Sequence, residues 1–204
     1  MQTPDAAENK MLELRLASGM GLRVAFATIH DRIGHSVALV KHSAGGSAEV
    51  ATLLTSREDS GTDPWPCSPP LQNLSIEQLA PDRWAALLVG MAGGSHWSAS
   101  MEAKADQPAL EFDIACRSSQ TPQRLESCYF LAPEVCAVAV LSREPQTSLS
   151  FSVGHLRFVL MAEAAGNFPP PRLELHGNEL RIVPTFDIAA GLKTIRWKYR
   201  LQLS

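Results

Sequence analysis

The chain is poor in the features that announce a specific chemistry. Aromatic residues make up 6% of its 204 positions, charged residues 19%, and tyrosine occurs only twice. The 18 Lys and Arg are outnumbered by 21 Asp and Glu, for a net charge of −3. There is thus no basic excess to draw nucleic acid, and no nucleic-acid partner is expected. No run approaches the roughly 18 apolar residues that cross a bilayer, so no membrane partner is expected either. The longest apolar stretches, residues 84–89 and 135–141, are strand-sized.

Cys67, Cys116, Cys128 and Cys136 lack the C-x-x-C spacing of zinc or redox sites and read as reduced thiols. The opening MQTPDAAENK is polar, unlike a signal or transit peptide, and the expected compartment is the cytoplasm. There is no G-x-S-x-G elbow, no phosphate loop with its Lys-Ser/Thr pair, and no H-x-H motif followed by Glu. Catalytic residues, bound metal and cofactors are therefore not expected.

What the chain does have is alternation. Leu12, Leu14 and Leu16 oppose Glu13 and Arg15; Leu22, Val24 and Phe26 repeat the pattern, and residues 37–40 read as the returning hairpin arm. Trp97, Ala99, Met101 and Ala103 share one face of a strand, with His96, Ser98, Ser100 and Glu102 on the other. Leu110, Phe112, Ile114 and Cys116 likewise oppose Glu111, Asp113 and Arg117. Further strands are predicted at residues 49–55, 71–79, 127–131, 148–153, 156–161, 173–183 (a hairpin) and 193–203. Residues 84–89 and 135–141, apolar throughout, read as central strands covered on both faces. Helical turns are allowed at residues 103–109 and 186–192.

About a dozen short strands with turn signals every eight to twelve residues predict an all-β fold. The expected form is an antiparallel β-sandwich or jelly-roll-like pair of sheets, with a closed β-barrel as the alternative. Residues 1–9 read as a loose tail and residues 10–204 as one β domain, because two buried central strands imply a shared core.

The most site-like stretch is Gly90-Met91-Ala92-Gly93-Gly94-Ser95-His96-Trp97. Glycines let a backbone approach a ligand, and Ser95, His96 and Trp97 could bond to it and stack on it. The competing role is a hairpin connection with a core tryptophan behind it. Ser95 and His96 point to opposite faces, so they cannot form an activated nucleophile. The second candidate is the row Arg196, Lys198 and Arg200, which could hold a phosphate, sulfate or carboxylate or protect an edge strand by charge.

Glu111 and Asp113 lie about 6.7 Å apart on one strand face, a spacing that suits paired carboxylates in glycoside hydrolysis as well as a plain solvated face. His30 and His35 flank a turn whose hairpin could bring them together, His42 follows downstream, and His155 and His176 stand alone, short of the three or four ligands of a metal site. Pro64-Trp65-Pro66-Cys67-Ser68-Pro69-Pro70 reads as a stiff strap over the sheets.

These features favour a non-catalytic binding or protein-interaction module for an unidentified small molecule or protein. One alternative is a hydrolase of a sugar or phosphate ester using His96, Glu102, Glu111 and Asp113. Another is a structural, self-associating protein, for which a closed homodimer is compatible with a charged edge.

Overall fold

Alternation sorts side chains between a dry and a wet face, and two such sheets bury their dry faces together. The structure, a computed structural model, describes residues 10–16, 18–59, 62–81, 83–104, 109–186 and 194–204. In chain order the strands are β1 (Met11–Arg15), β2 (Met20–Ile29), β3 (Arg32–Ser43), β4 (Gly46–Ser56), β5 (Asn73–Ala80), β6 (Arg83–Ala92), β7 (Ser95–Lys104) and β8 (Ala109–Ser118). Then come β9 (Ser127–Leu131), β10 (Val140–Leu141), β11 (Ser148–Val153), β12 (Leu156–Glu163), β13 (Arg172–His176), β14 (Glu179–Val183) and β15 (Thr194–Leu203).

Seven strands form one sheet, ordered β1-β2-β3-β4-β9-β14-β13, and eight form the other, ordered β10-β11-β12-β15-β8-β7-β6-β5. Both are antiparallel throughout and both keep open edges, so the fold is a β-sandwich and the barrel alternative is overturned.

One hydrophobic cluster joins both inner faces. Leu22, Val24, Val37 and Leu39 enter it from the smaller sheet; Phe112, Trp197, Tyr199 and Leu160 enter from the larger. Trp97 meets Trp197 edge-on at 6.1 Å, and Phe112 stacks on Tyr199 at 4.9 Å, geometries that suit aromatic quadrupoles.

The strap ties the sheets at one end. Leu71 O accepts a hydrogen bond from Ile33 N of β3 (2.7 Å), while Gln72 N donates to Val89 O of β6 (2.9 Å). Arg124 clamps the strap's start, donating to Trp65 O (3.0 Å) and Asp63 Oδ2 (3.0 Å). This crossing explains the first glycine of the Gly-rich stretch: a Cβ on Gly90 would lie 1.9 Å from Pro70 O. Gly93, at φ 54, opens the tight turn between β6 and β7, where hairpin twist demands positive φ. Both glycines thus serve the architecture.

Several expectations are corrected. Residues 135–141 are not a central strand: Pro133, with its φ preset, starts the short helix α1 (Pro133–Cys136), and only Val140–Leu141 is extended. Residues 84–89 form a strand, but Trp84, Leu87 and Val89 remain 41%, 43% and 52% exposed. Leu87 and Val89 lie on the outer face of β6, where Ala85 is buried, whereas Trp84 lies on the opposite face at the start of the strand; β6 neighbours the edge strand β5. The turn after β2, which the sequence places at Asp31-Arg32-Ile33-Gly34, is His30-Asp31 with His30 at φ 58, and β3 already begins at Arg32. The basic row lies on β15, between β12 and β8, so it protects no edge. The expected tail, and most of the helical turns allowed at 103–109 and 186–192, lie outside the described residues. Among the described residues no helix is long and apolar enough to cross a membrane.

Candidate functional site

Strand register decides which exposed side chains become neighbours. On the outer face of the larger sheet, Met91 pairs with His96, His96 with Arg117 and Arg117 with Thr194, making one row across β6, β7, β8 and β15. The next row runs Asn73, Val89, Ser98, Ala115 and Arg196. Further along the strands follow Leu87, Ser100, Asp113 and Lys198, then Ala85, Glu102, Glu111 and Arg200.

The centre of this face is a lattice of ion pairs. Arg196 Nε donates to Asp113 Oδ1 (2.6 Å), and Lys104 and Lys198 approach Glu111 Oε2 at 2.9 and 3.2 Å. Lys198 also lies 3.5 Å from Glu163, while Arg83 Nη2 holds Glu102 at 2.5 Å. Arg200 Nε stands 2.9 Å from Glu163 Oε1, though its N–H is not aimed along the hydrogen-bond line. Burial pushes the Glu111 carboxyl up, but hydrogen bonds from Lys104 and Lys198 outweigh it and hold that carboxyl below the usual range. The row Arg196, Lys198 and Arg200 therefore already has its anions, and they are the carboxylates next door.

The four residues of the hydrolase alternative do share this face. His96 and Glu102 are six residues apart on β7, or about 20 Å. Glu102, Glu111 and Asp113 are each bound to a base. They share a surface without converging on a point.

At the His96 end the lattice stops and a groove opens. It has a volume of about 520 Å³ and is bounded by Gln72 and Asn73, by Val89, Gly90 and Met91, and by His96, Ser98, Ala115, Arg117 and Thr194, with Trp97 beneath. Ser98 and Ala115 are small, which makes the depression. Val89 and Met91 form an apolar wall, 52% and 49% exposed. Gln72 Oε1 accepts from Met91 N (3.1 Å) and pins the β5 side.

The expected trio of Ser95, His96 and Trp97 is divided by the pleat. His96 points out into the groove, whereas Ser95 and Trp97 point in and are 1% and 2% exposed. Trp97 packs on Trp197, so its ring cannot stack on a ligand; its Nε1–H finds no acceptor among the described residues. Sequence reading missed Arg117 as a site residue. Its face was legible from alternation in β8, but its place beside His96 follows from register alone.

A second polar cluster lies between the sheets. His35 Nε2 bonds to Tyr129 Oη (2.9 Å), and Tyr129 Oη to Tyr199 Oη (2.6 Å). Trp197 Nε1 donates to Ser127 Oγ (3.0 Å). Ser56 Oγ accepts from His35 N (2.8 Å) and donates to Glu58 Oε1 (2.7 Å). His35, Ser56, Glu58, Ser127, Tyr129 and Tyr199 line a cavity of about 10 Å³, room for a water at most. Burial lowers His35 to about 4 and so keeps it neutral. Burial raises Glu58 to about 7, against the opposing pull of the Ser56 hydrogen bond and the Arg32 charge. His30, which was placed across the turn from His35, sits exposed at the turn itself, so the two do not meet. No group of three His, Cys, Asp or Glu among the described residues could hold a metal.

Fold and face together define a β-sandwich with a ligand-sized groove beside a neutralised charge lattice. No protein-family model matches the chain, and no curated protein matches it.

Proposed function

We propose that this protein is a non-catalytic binding module whose ligand occupies the groove at the Met91–His96–Arg117 end of the larger sheet. One observation carries the reading. The groove gathers His96, Ser98 and Arg117, whose side chains have no protein partner among the described residues, while the charges in the centre of the same face are paired. Its volume falls within the range of about 300–1,000 Å³ usual for small-molecule sites. The four free thiols fit a reducing compartment, and a cytoplasmic location is part of the same reading.

Thermal unfolding against sugars, nucleotides, phosphate esters and organic anions tests it, because a ligand that binds only the folded state raises the melting temperature. Ala115→Trp fills the groove from a half-buried position on the outer face and leaves the core untouched. The expected result is a shift for at least one ligand class that Ala115→Trp abolishes. A panel without any shift, or a shift that survives Ala115→Trp, overturns the assignment.

The exposed stripe Leu87, Val89 and Met91 beside edge strand β5 supports a second reading, closed self-association through this face. Sedimentation analysis separates the two. A dimer that Leu87→Asp dissociates supports self-association, and a monomer across micromolar concentrations removes it.

A further inference from the structure

The chemistry of the groove narrows the ligand class, a step that rests on the groove being the binding site. Of its described lining residues Arg117 is the one cation, and none is acidic. Lys104, Arg196, Lys198 and Arg200 on the same face each have a carboxylate within 4 Å, whereas Arg117 has none among the described residues. The nearest carboxylate on its own strand, Asp113, is four residues away, about 13 Å, and is held by Arg196. Next to Arg117 stands His96, exposed and without a hydrogen-bond partner among the described residues, then the Ser98 hydroxyl and Thr194.

Val89 and Met91 lie on the opposite side of the floor. They expose about half of their surface to water, a cost that a hydrocarbon covering them would remove.

We infer that the groove takes an organic anion with an apolar body: a carboxylate or phosphate head on Arg117 and His96, and a hydrocarbon part against Val89 and Met91. A guanidinium fork matches either head through two parallel N–H···O bonds. The groove crosses β5, β6, β7, β8 and β15, four strand spacings or about 19 Å, so it suits an elongated molecule.

Other classes fit less well. A sugar or nucleobase wants an aromatic platform. Here the tryptophan beneath is turned inward, and Trp84 lies seven residues from Met91 along β6, about 23 Å away. A metal cation would need carboxylates. An extended peptide would follow the free edge of β5, while the groove runs across the strands.

Calorimetric titration at constant ionic strength tests the class with small probes. Octanoate and octyl phosphate carry the two heads on one body, 1-octanol carries the body alone, and acetate and inorganic phosphate carry the heads alone. At least one of the octyl anions is expected to bind ten times or more tightly than 1-octanol and than its own bare head. The tighter of the two identifies the head. Arg117→Gln should weaken that probe at least tenfold and Val89→Ser several-fold, while Arg157→Gln, on β12 opposite the end of β15 remote from Thr194, should leave it unchanged.

Equal binding of 1-octanol, indifference to Arg117→Gln, or no binding of either octyl anion overturns the anion class. In those cases the groove itself survives if some ligand of the wider panel is still lost in Ala115→Trp. Octyl-anion binding that Ala115→Trp leaves intact overturns the groove along with the class.

Discussion

His35 and His96 are both strand histidines, and the two regions that hold them have opposite characters. His35 is 9% exposed, its ring stacked on Phe112 and its Nε2 on Tyr129. His96 is exposed and touches no hydrogen-bond partner among the described residues. Burial accounts for the contrast. A polar group removed from water must find partners within the protein or cost stability; the inner cluster forms a chain of bonds around a cavity too small for a ligand, and leaves His35 Nδ1 and Glu58 Oε2 without a partner among the described residues. On the outer face water satisfies each group, and no partner has to be built. Inside, polar groups hold the sheets in register; in the groove they remain free to meet something else.

The largest break in that comparison comes from the inside. Trp197→Ala removes a fully buried indole and its bond to Ser127, and should cost about 3–5 kcal/mol in denaturant unfolding. A loss below about 1 kcal/mol would mean that the two sheets are not packed through this residue.

Gly90→Ala comes next. Its Cβ would strike the Pro70 carbonyl, so the strap must move, at a cost of about 1–3 kcal/mol. Faster amide exchange at Gln72, whose N–H bonds Val89, would show that the strap is what gives way.

pH sharpens the comparison, because the inner cluster carries two shifted groups of opposite sign. His35 sits at about 4, below its ordinary 6.5. The unfolded chain therefore binds the extra proton first, and stability present at neutral pH is lost as the pH falls from about 6.5 through 4. Glu58 is raised to about 7 from 4.5. The folded chain keeps a proton that the unfolded chain releases, and this contribution, full below pH 4.5, is lost as the pH rises through about 7. Urea titrations from pH 4 to 8 should show His35→Gln flattening the acid limb and Glu58→Gln flattening the neutral one. Limbs unchanged in both variants would place the two groups in water.

The smallest effect is expected on the lattice. Arg196→Ala breaks a pair whose guanidinium is half exposed, and should change stability by less than about 1 kcal/mol. A larger loss would make the outer face as structural as the inner one.

Much of the fold was legible because alternation is a local property. The row Arg196, Lys198 and Arg200 can be read from β15 alone and lies on one face as read, with Ile195, Trp197, Tyr199 and Leu201 buried on the other. The helix at Pro133–Cys136 was missed because a short apolar run has no period to reveal it. Reading residues 84–89 as doubly buried failed for another reason: hydrophobicity records what a face tolerates, while its cover depends on strand order. The candidate site was half legible. His96 was found, but Trp97 was assigned to the site although the pleat turns it inward. Arg117 was seen only as one polar residue on the outer side of its strand.

By itself the sequence determined the strand-rich class, the turns and the face of most side chains, since a pleated backbone turns successive residues to opposite sides whatever lies beside it. Only the tertiary structure decided that Arg196, Lys198 and Arg200 meet Asp113, Glu111 and Glu163, and that Arg117 comes to lie next to His96 with no carboxylate beside it among the described residues. Those facts are set by register between strands, which the hydrophobic pattern fixes only once the two sheets have packed.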